Sequence, residues 1–139
     1  MYSHIILAAD GSEHSYRAAE HAAAIAGASP SCTVTIVFVP RPDESKGAAL
    51  QQERMNAVQW ERRDKLARHE SLFTGKGIPY SVLVREGDPG PAIVKYANAQ
   101  KADLIILGSR GLNHLQQFVL GSVSHKVMKR VNCPVMIVK

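Results

Sequence analysis

Leu104-Ile105-Ile106-Leu107-Gly108-Ser109-Arg110-Gly111, with Gly121-Ser122-Val123-Ser124 following after nine intervening residues, carries both the fold and the candidate chemistry of this chain. Four large aliphatic residues in a row, without polar interruption, have the length and branching of a strand buried on both faces, as in a parallel sheet covered by helices. Further short apolar runs are Ile5 to Ala9, Val34 to Val39 and Val135 to Val138, while Tyr80 to Val84 is nearer to alternation and suits a place near an edge. Between these runs lie segments of helical character, Ser12 to Ala26, about Ala48 to Thr74, Pro89 to Ala99 and Ser122 to Val131. Five strands alternating with four helices predict a three-layer α/β domain.

The punctuation agrees. Ser12 can cap the first helix, Asp88-Pro89 forms an N-cap and N1 pair, and Asn132-Cys133-Pro134 stops the last helix before the final strand. The alanines at 18, 19, 22, 23 and 26 predict a first helix lying close against the sheet. The second, with charges of both signs from Arg54 to Glu70, reads as a solvated face. Arg41 to Gly47, rich in proline, glycine and charge, is expected to be the long surface loop. No linker composition divides the chain, so residues 1–139 are expected to form one domain.

A hydrophobic content of 45% argues against disorder, and charges interrupt the chain too often for a membrane span of about 20 apolar residues. Cys32 and Cys133 are outside any CxxC or Cys/His ligand spacing and are expected to be buried thiols in a reducing compartment. The N-terminus lacks a signal-peptide pattern, which makes the cytoplasm the default location. The net charge of +5 is unevenly placed: residues 1–103 carry 12 acidic and 12 basic side chains, whereas residues 104–139 carry five basic ones and no acid.

In an open parallel sheet, ligands bind at the carboxyl ends of the strands where the strand order reverses. Asp10-Gly11-Ser12 after the first run places a carboxylate there, and Val39-Pro40 after the second offers an apolar wall to a flat ring. The loop framed by Gly108, Gly111 and Gly121 suggests an anion pocket. Glycine lets backbone N–H groups approach an anion, a helix start offers unpaired donors, and Ser122, Ser124 and Arg110 add hydroxyls and a charge. Neither a GxxxxGK[ST] nor a GxGxxG motif occurs. Gly87-Asp88-Pro89-Gly90 reads as a turn into a helix. The histidines read as lone surface residues, His125 being the one placed to sense a ligand's charge beside Ser124. No Ser/His/Asp or Cys/His set can be assembled, so no catalytic residue is named.

The pattern Gly108-x2-Gly111-x9-Gly121-Ser122 resembles the nucleotide loop of ATP-binding universal stress proteins. The resemblance covers the whole chain: Ile5 to Ser12 is similar to that family's first strand and its Asp-containing turn, Val34 to Pro40 to its second strand, and Cys133 to Val138 to its closing strand. It implies a Rossmann-like fold with strand order 3-2-1-4-5, and a homodimer joined through the last strand. It also implies a site for ATP, with or without a divalent metal ion (Mg or Mn). Carried over by position, Asp10 would meet the ribose or the neighbouring polar edge of the nucleotide, and Val39 the adenine. Gly108, Arg110 and Gly111 would line the ribose and α-phosphate side, and Gly121, Ser122, Val123 and Ser124 would cradle the phosphates.

The favoured function is then a binding one, an ATP-dependent stress-response regulator whose nucleotide state tunes dimer or partner contacts. An ATPase or adenylyl-transferring enzyme is the alternative; it requires a positioned metal and a group orienting the nucleophile, so at most weak ATP hydrolysis is expected. A nucleic-acid surface is disfavoured because Phe118 is the only aromatic residue after position 103. Lys126, Lys129 and Arg130 are adequately explained as complements to the dipole of the last helix.

Overall fold

Strands and helices alternate along the chain: β1 (His4–Ala8), α1 (Glu13–Gly27), β2 (Thr33–Phe38), α2 (Gln51–Gly75), β3 (Tyr80–Val84), α3 (Pro89–Ala99), β4 (Leu104–Gly108), α4 (Ser122–Arg130) and β5 (Val135–Val138). These come from a computed structural model that describes residues 2–40, 51–110 and 120–139. The expected loop at 41–47, the expected first turn of the second helix at 48–50, and Gly111, His114 and Phe118 lie outside the described residues. Where both ends are described, the elements begin and end within one residue of the sequence reading.

The strands form one parallel sheet in the order β3-β2-β1-β4-β5. β1 is central, with Ile5 between Val34 and Leu104 and Leu7 between Ile36 and Ile106. Alternate residues of each strand face opposite sides, so an unbroken apolar run feeds two cores at once. On one side Ile5, Leu7, Val34, Ile36 and Ile106 pack with the α1 alanines and with Leu66 and Phe73 of α2. On the other, Ile6, Val37, Ile105 and Leu107 pack with Ile93 and Ala97 of α3 and Val127 of α4. Each such fully buried aliphatic side chain contributes about 1.5–3 kcal/mol. β3 is an edge strand, which explains its weaker apolar pattern: all five of its residues are partly or fully exposed.

Two expectations need correction. α2 is not simply a solvated face, because Leu66, His69 and Phe73 are fully buried. Cys32 is buried, but Cys133 is only half-buried, because it leads into β5 at the other sheet edge. Asp88 takes the expected N-cap position of α3 ahead of Pro89, though its side chain makes no capping bond and its carboxylate lies 3.5 Å from the Lys126 ammonium. Ser12 does cap α1, its hydroxyl accepting from the Ser15 N–H at 3.1 Å. Among the described residues, no helix is long and apolar enough to cross a membrane.

The alanines of α1 set its distance from the sheet, since Ala18, Ala19 and Ala22 have no exposed surface. Ala22→Leu is therefore expected to cost about 1–3 kcal/mol through overpacking. Ala24→Leu, on the exposed side of the same turn, should stay within about 0.5 kcal/mol of wild type. Urea denaturation checks both values, and equal effects at the two positions would contradict close packing.

Candidate functional site

The sheet order fixes where a cleft can form. From β1 the chain adds β2 and β3 on one side, then crosses back to add β4 and β5 on the other, so the connections leaving β1 and β4 diverge. A cavity of about 430 Å3 opens at these strand ends. Its lining includes Asp10, Val39, Gly108, Arg110, Gly121, Ser122, Val123 and Ser124, which the sequence spreads over more than a hundred positions.

The β1 wall is a tight turn. Ala9 N–H still pairs with the Val37 carbonyl at 3.1 Å, after which the Asp10 carboxylate accepts from the Ser12 N–H at 2.9 Å. Between them Gly11 has φ +88°, in the left-handed region, and the stem of Lys65 lies 2.8 Å from where a Cβ would stand. Both features require glycine. The β2 wall is apolar, made by Phe38, Val39 and Pro40, and Leu107 and Ile93 extend that surface.

The β4 wall is a closed loop mouth. Ser109 N–H donates to the Val138 carbonyl, and Gly121 N–H donates to the Ser109 carbonyl, both at 2.8 Å. Ser124 is buried, and its hydroxyl donates to the Gly108 carbonyl at 2.6 Å. Its one proton is thus committed to the loop closure, so Ser124 offers a ligand its backbone N–H, while the exposed Ser122 keeps a hydroxyl at the cleft. Gly108 has a different constraint from the one expected: a Cβ there would stand 2.6 Å from the His14 Cβ of α1. Its lack of a side chain lets α1 pass the tip of β4.

α4 begins at this mouth with Gly121 as N-cap and no side-chain cap. The N–H groups of its first turn, from Ser122, Val123 and Ser124, have no acceptor within the helix, and the helix dipole adds partial positive charge. Among the described residues, the charged side chains lining the cleft balance, Asp10 and Asp88 against Lys65 and Arg110. Lys65 also pairs with Glu61 at 2.7 Å. The uncapped helix start thus adds backbone donors and partial positive charge to the cleft wall. Among the described residues, no three His, Cys, Asp or Glu side chains gather into a metal-binding group. His125 is exposed and does not line the cleft.

Ser15, Lys65, Pro89 and Ile93 also line the cavity, although the sequence did not single them out. Ser15 is signalled only by its place three residues after a capping serine. Lys65 belongs to a charged run whose contact with Gly11 spans most of two helices and a strand. His69 was read as a surface histidine and is fully buried, with Nε2 2.9 Å from the Ser15 hydroxyl. Burial and the neighbouring Arg68 cation push its pKa down from 6.5 to about 4, against the opposing pull of Asp10 and Glu13.

The universal stress protein family model matches residues 1–139. A universal stress protein of Thermus aquaticus is 36% identical over 141 residues, covering all of both chains. Among solved structures, protein MJ0577 of Methanocaldococcus jannaschii superposes with a TM-score of 0.86 at 30% identity, over 100% of this chain and 96% of that one. A universal stress protein solved in complex with cAMP has a TM-score of 0.71 at 28% identity, over 99% and 96% of the two chains.

The His69 ring ties stability to pH with a definite sign. Its folded pKa lies below its unfolded value, so the unfolded chain takes up the proton first. Stability is then complete above about pH 6.5 and falls as pH drops toward 4. The loss attributable to this ring reaches roughly 3 kcal/mol. Urea-derived stabilities at about pH 7 and about pH 4.5 should show a steeper decline for wild type than for His69→Gln. Equal slopes would contradict a buried neutral ring.

Proposed function

The chain belongs to the universal stress protein family, and on that premise we propose that it is a stress-response regulator that binds an adenine nucleotide, ATP, in the cleft at the β1/β4 divergence. The observation that carries this reading is the uncapped start of α4 facing the same cavity as the apolar Val39-Pro40 wall. An adenine nucleotide has the matching halves, a flat aromatic base and an anionic chain. The volume of about 430 Å3 is in the range of small-molecule clefts.

Adenine lies against Val39, and Asp10 meets the ribose or the polar edge beside it. Gly108, Arg110 and Gly111 line the ribose and α-phosphate side. The N–H groups of Ser122, Val123 and Ser124 and the Ser122 hydroxyl hold the phosphates, with Gly121 leaving room for them. The cAMP complex of a relative supports the nucleotide class. A divalent ion, Mg or Mn, would be brought by the nucleotide and would neutralise phosphate charge at the α4 start.

The chain works in the cytoplasm as one domain and as a homodimer through β5, and nucleotide occupancy changes the contacts of that dimer or of a partner. α4 links these functions physically, because its first turn borders the cleft and the chain leaving it enters β5 directly.

Calorimetric titration of nucleotide-stripped protein with ATP, ADP, AMP and a short DNA duplex tests the proposal. ATP should bind. Gly121→Val should weaken that binding more than about tenfold, roughly 1.4 kcal/mol, because a Cβ there already meets the Ser109 carbonyl at 3.2 Å. A wild type that ignores ATP but binds DNA with a steep salt dependence would overturn the reading. Rapid metal-dependent phosphate release would replace the regulator with an ATPase.

A further inference from the structure

Helix α2 grips the start of α1 through one side of a single turn. Lys65, Arg68 and His69 stand at i, i+3 and i+4, positions that share a helix face. The Lys65 stem covers Gly11. Arg68 pairs with Glu13 and places its guanidinium 4.1 Å from the centre of the Tyr16 ring. His69 meets Tyr16 edge-on, ring centroids 5.4 Å apart, and reaches the Ser15 hydroxyl at 2.9 Å. All four α1-side partners fall within six residues of Asp10.

The direction of the His69–Ser15 bond follows from proton counting. The Ser15 hydroxyl lies 2.9 Å from the Ser12 carbonyl, which can only accept, so its one proton goes there. His69 Nε2 must then carry the proton it shares with Ser15, and Nδ1, buried with no partner among the described residues, is a bare lone pair. The bonds continue without a gap. Ser15 N–H donates to the Ser12 hydroxyl at 3.1 Å, and Ser12 N–H donates to the Asp10 carboxylate at 2.9 Å. A chain of hydrogen bonds thus runs from a ring inside the core to the carboxylate on the cleft wall, through Ser15, which lines the cleft itself. An aliphatic residue would pack beside Leu66 and Phe73 without needing a partner, so core filling alone does not explain a histidine here.

We propose that His69 is a positioning residue for the cleft: by donating from Nε2 to the Ser15 hydroxyl, it holds the Asp10–Ser12 turn in the geometry that admits the nucleotide. This rests on the nucleotide reading above. The charged groups acting on the ring are Arg68 from its own helix and Asp10 and Glu13 from the α1 side, with Tyr16 in T-shaped contact.

The test compares wild type, His69→Leu, His69→Gln and Ser15→Ala by calorimetric titration with ATP and by thermal denaturation without ligand. Leucine keeps the bulk and removes the donor, whereas the glutamine amide can still donate. His69→Leu and Ser15→Ala should each raise Kd roughly three- to tenfold, the effect of one net hydrogen bond. His69→Gln should recover most of the affinity, and the Leu/Ala double variant should be no weaker than the worse single one. A folded His69→Leu protein with altered thermal stability but wild-type Kd would overturn the proposal. Should His69→Leu fail to fold, Ser15→Ala decides in its place, an unchanged Kd again being the contrary result. If wild type takes up no nucleotide, the cleft reading itself fails. Amide hydrogen exchange at Gly11 and Ser12 in the ligand-free protein then tests the positioning role: faster exchange in His69→Leu than in wild type and His69→Gln supports it, and equal exchange overturns it.

Discussion

Gly108 is the joint on which the site depends. On one side its missing side chain lets α1 pass so closely that a Cβ would stand 2.6 Å from that of His14. On the other its carbonyl accepts the Ser124 hydroxyl at 2.6 Å and so fixes the start of α4. One residue at the tip of a fully buried strand thereby sets the helices of both outer layers relative to the sheet. The close approach of α1 in turn brings the Asp10 turn up to the cleft, and the anchored α4 directs its uncapped N–H groups into it. Two helix starts are thereby held at adjacent strand ends.

Much of this was legible in the sequence because the signals were local. Short apolar runs at 5–9, 34–39 and 104–107, rich in β-branched residues and bounded by turn signals, have the form of strands covered on both faces, and the alanines of α1 announce a close helix. The edge place of β3 followed from its weaker pattern. The glycine-framed loop also stood out, since glycines at its two ends have few reasons to recur around an apolar strand end. The strand order and the proposed ligand were less local, and they came from resemblance to a family, not from residue periodicity.

What was missed depended on contacts far apart in sequence. α2 carries so many charges that Leu66, His69 and Phe73 did not register as a buried stripe, and the histidine looked like one more polar residue. Its partner Ser15 lies 54 residues away, and no pattern in a single sequence reports such a pair. Ser124 was legible as a polar group at the helix start but not as the donor that closes the loop, because the accepting carbonyl belongs to Gly108, 16 residues earlier. The charge excess changed meaning in the same way. Acids and bases balance among the described side chains of the cleft; of the basic residues of α4, Lys129 and Arg130 stand in its last turn, where they complement the dipole, whereas Lys126 pairs with Asp88.

The central claim, that the α4 start and the Asp10 turn together receive an adenine nucleotide, is tested most directly by following backbone amides with 15N NMR during an ATP titration. The amides of Ser122, Val123 and Ser124 should shift strongly, joined by Gly11 and Ser12, and with the same apparent Kd at every position. Unmoved α4 amides would contradict the claim, most plainly if ATP instead perturbed the shallow hollow around Asn98, Lys101 and Asn132 at the far end of α3.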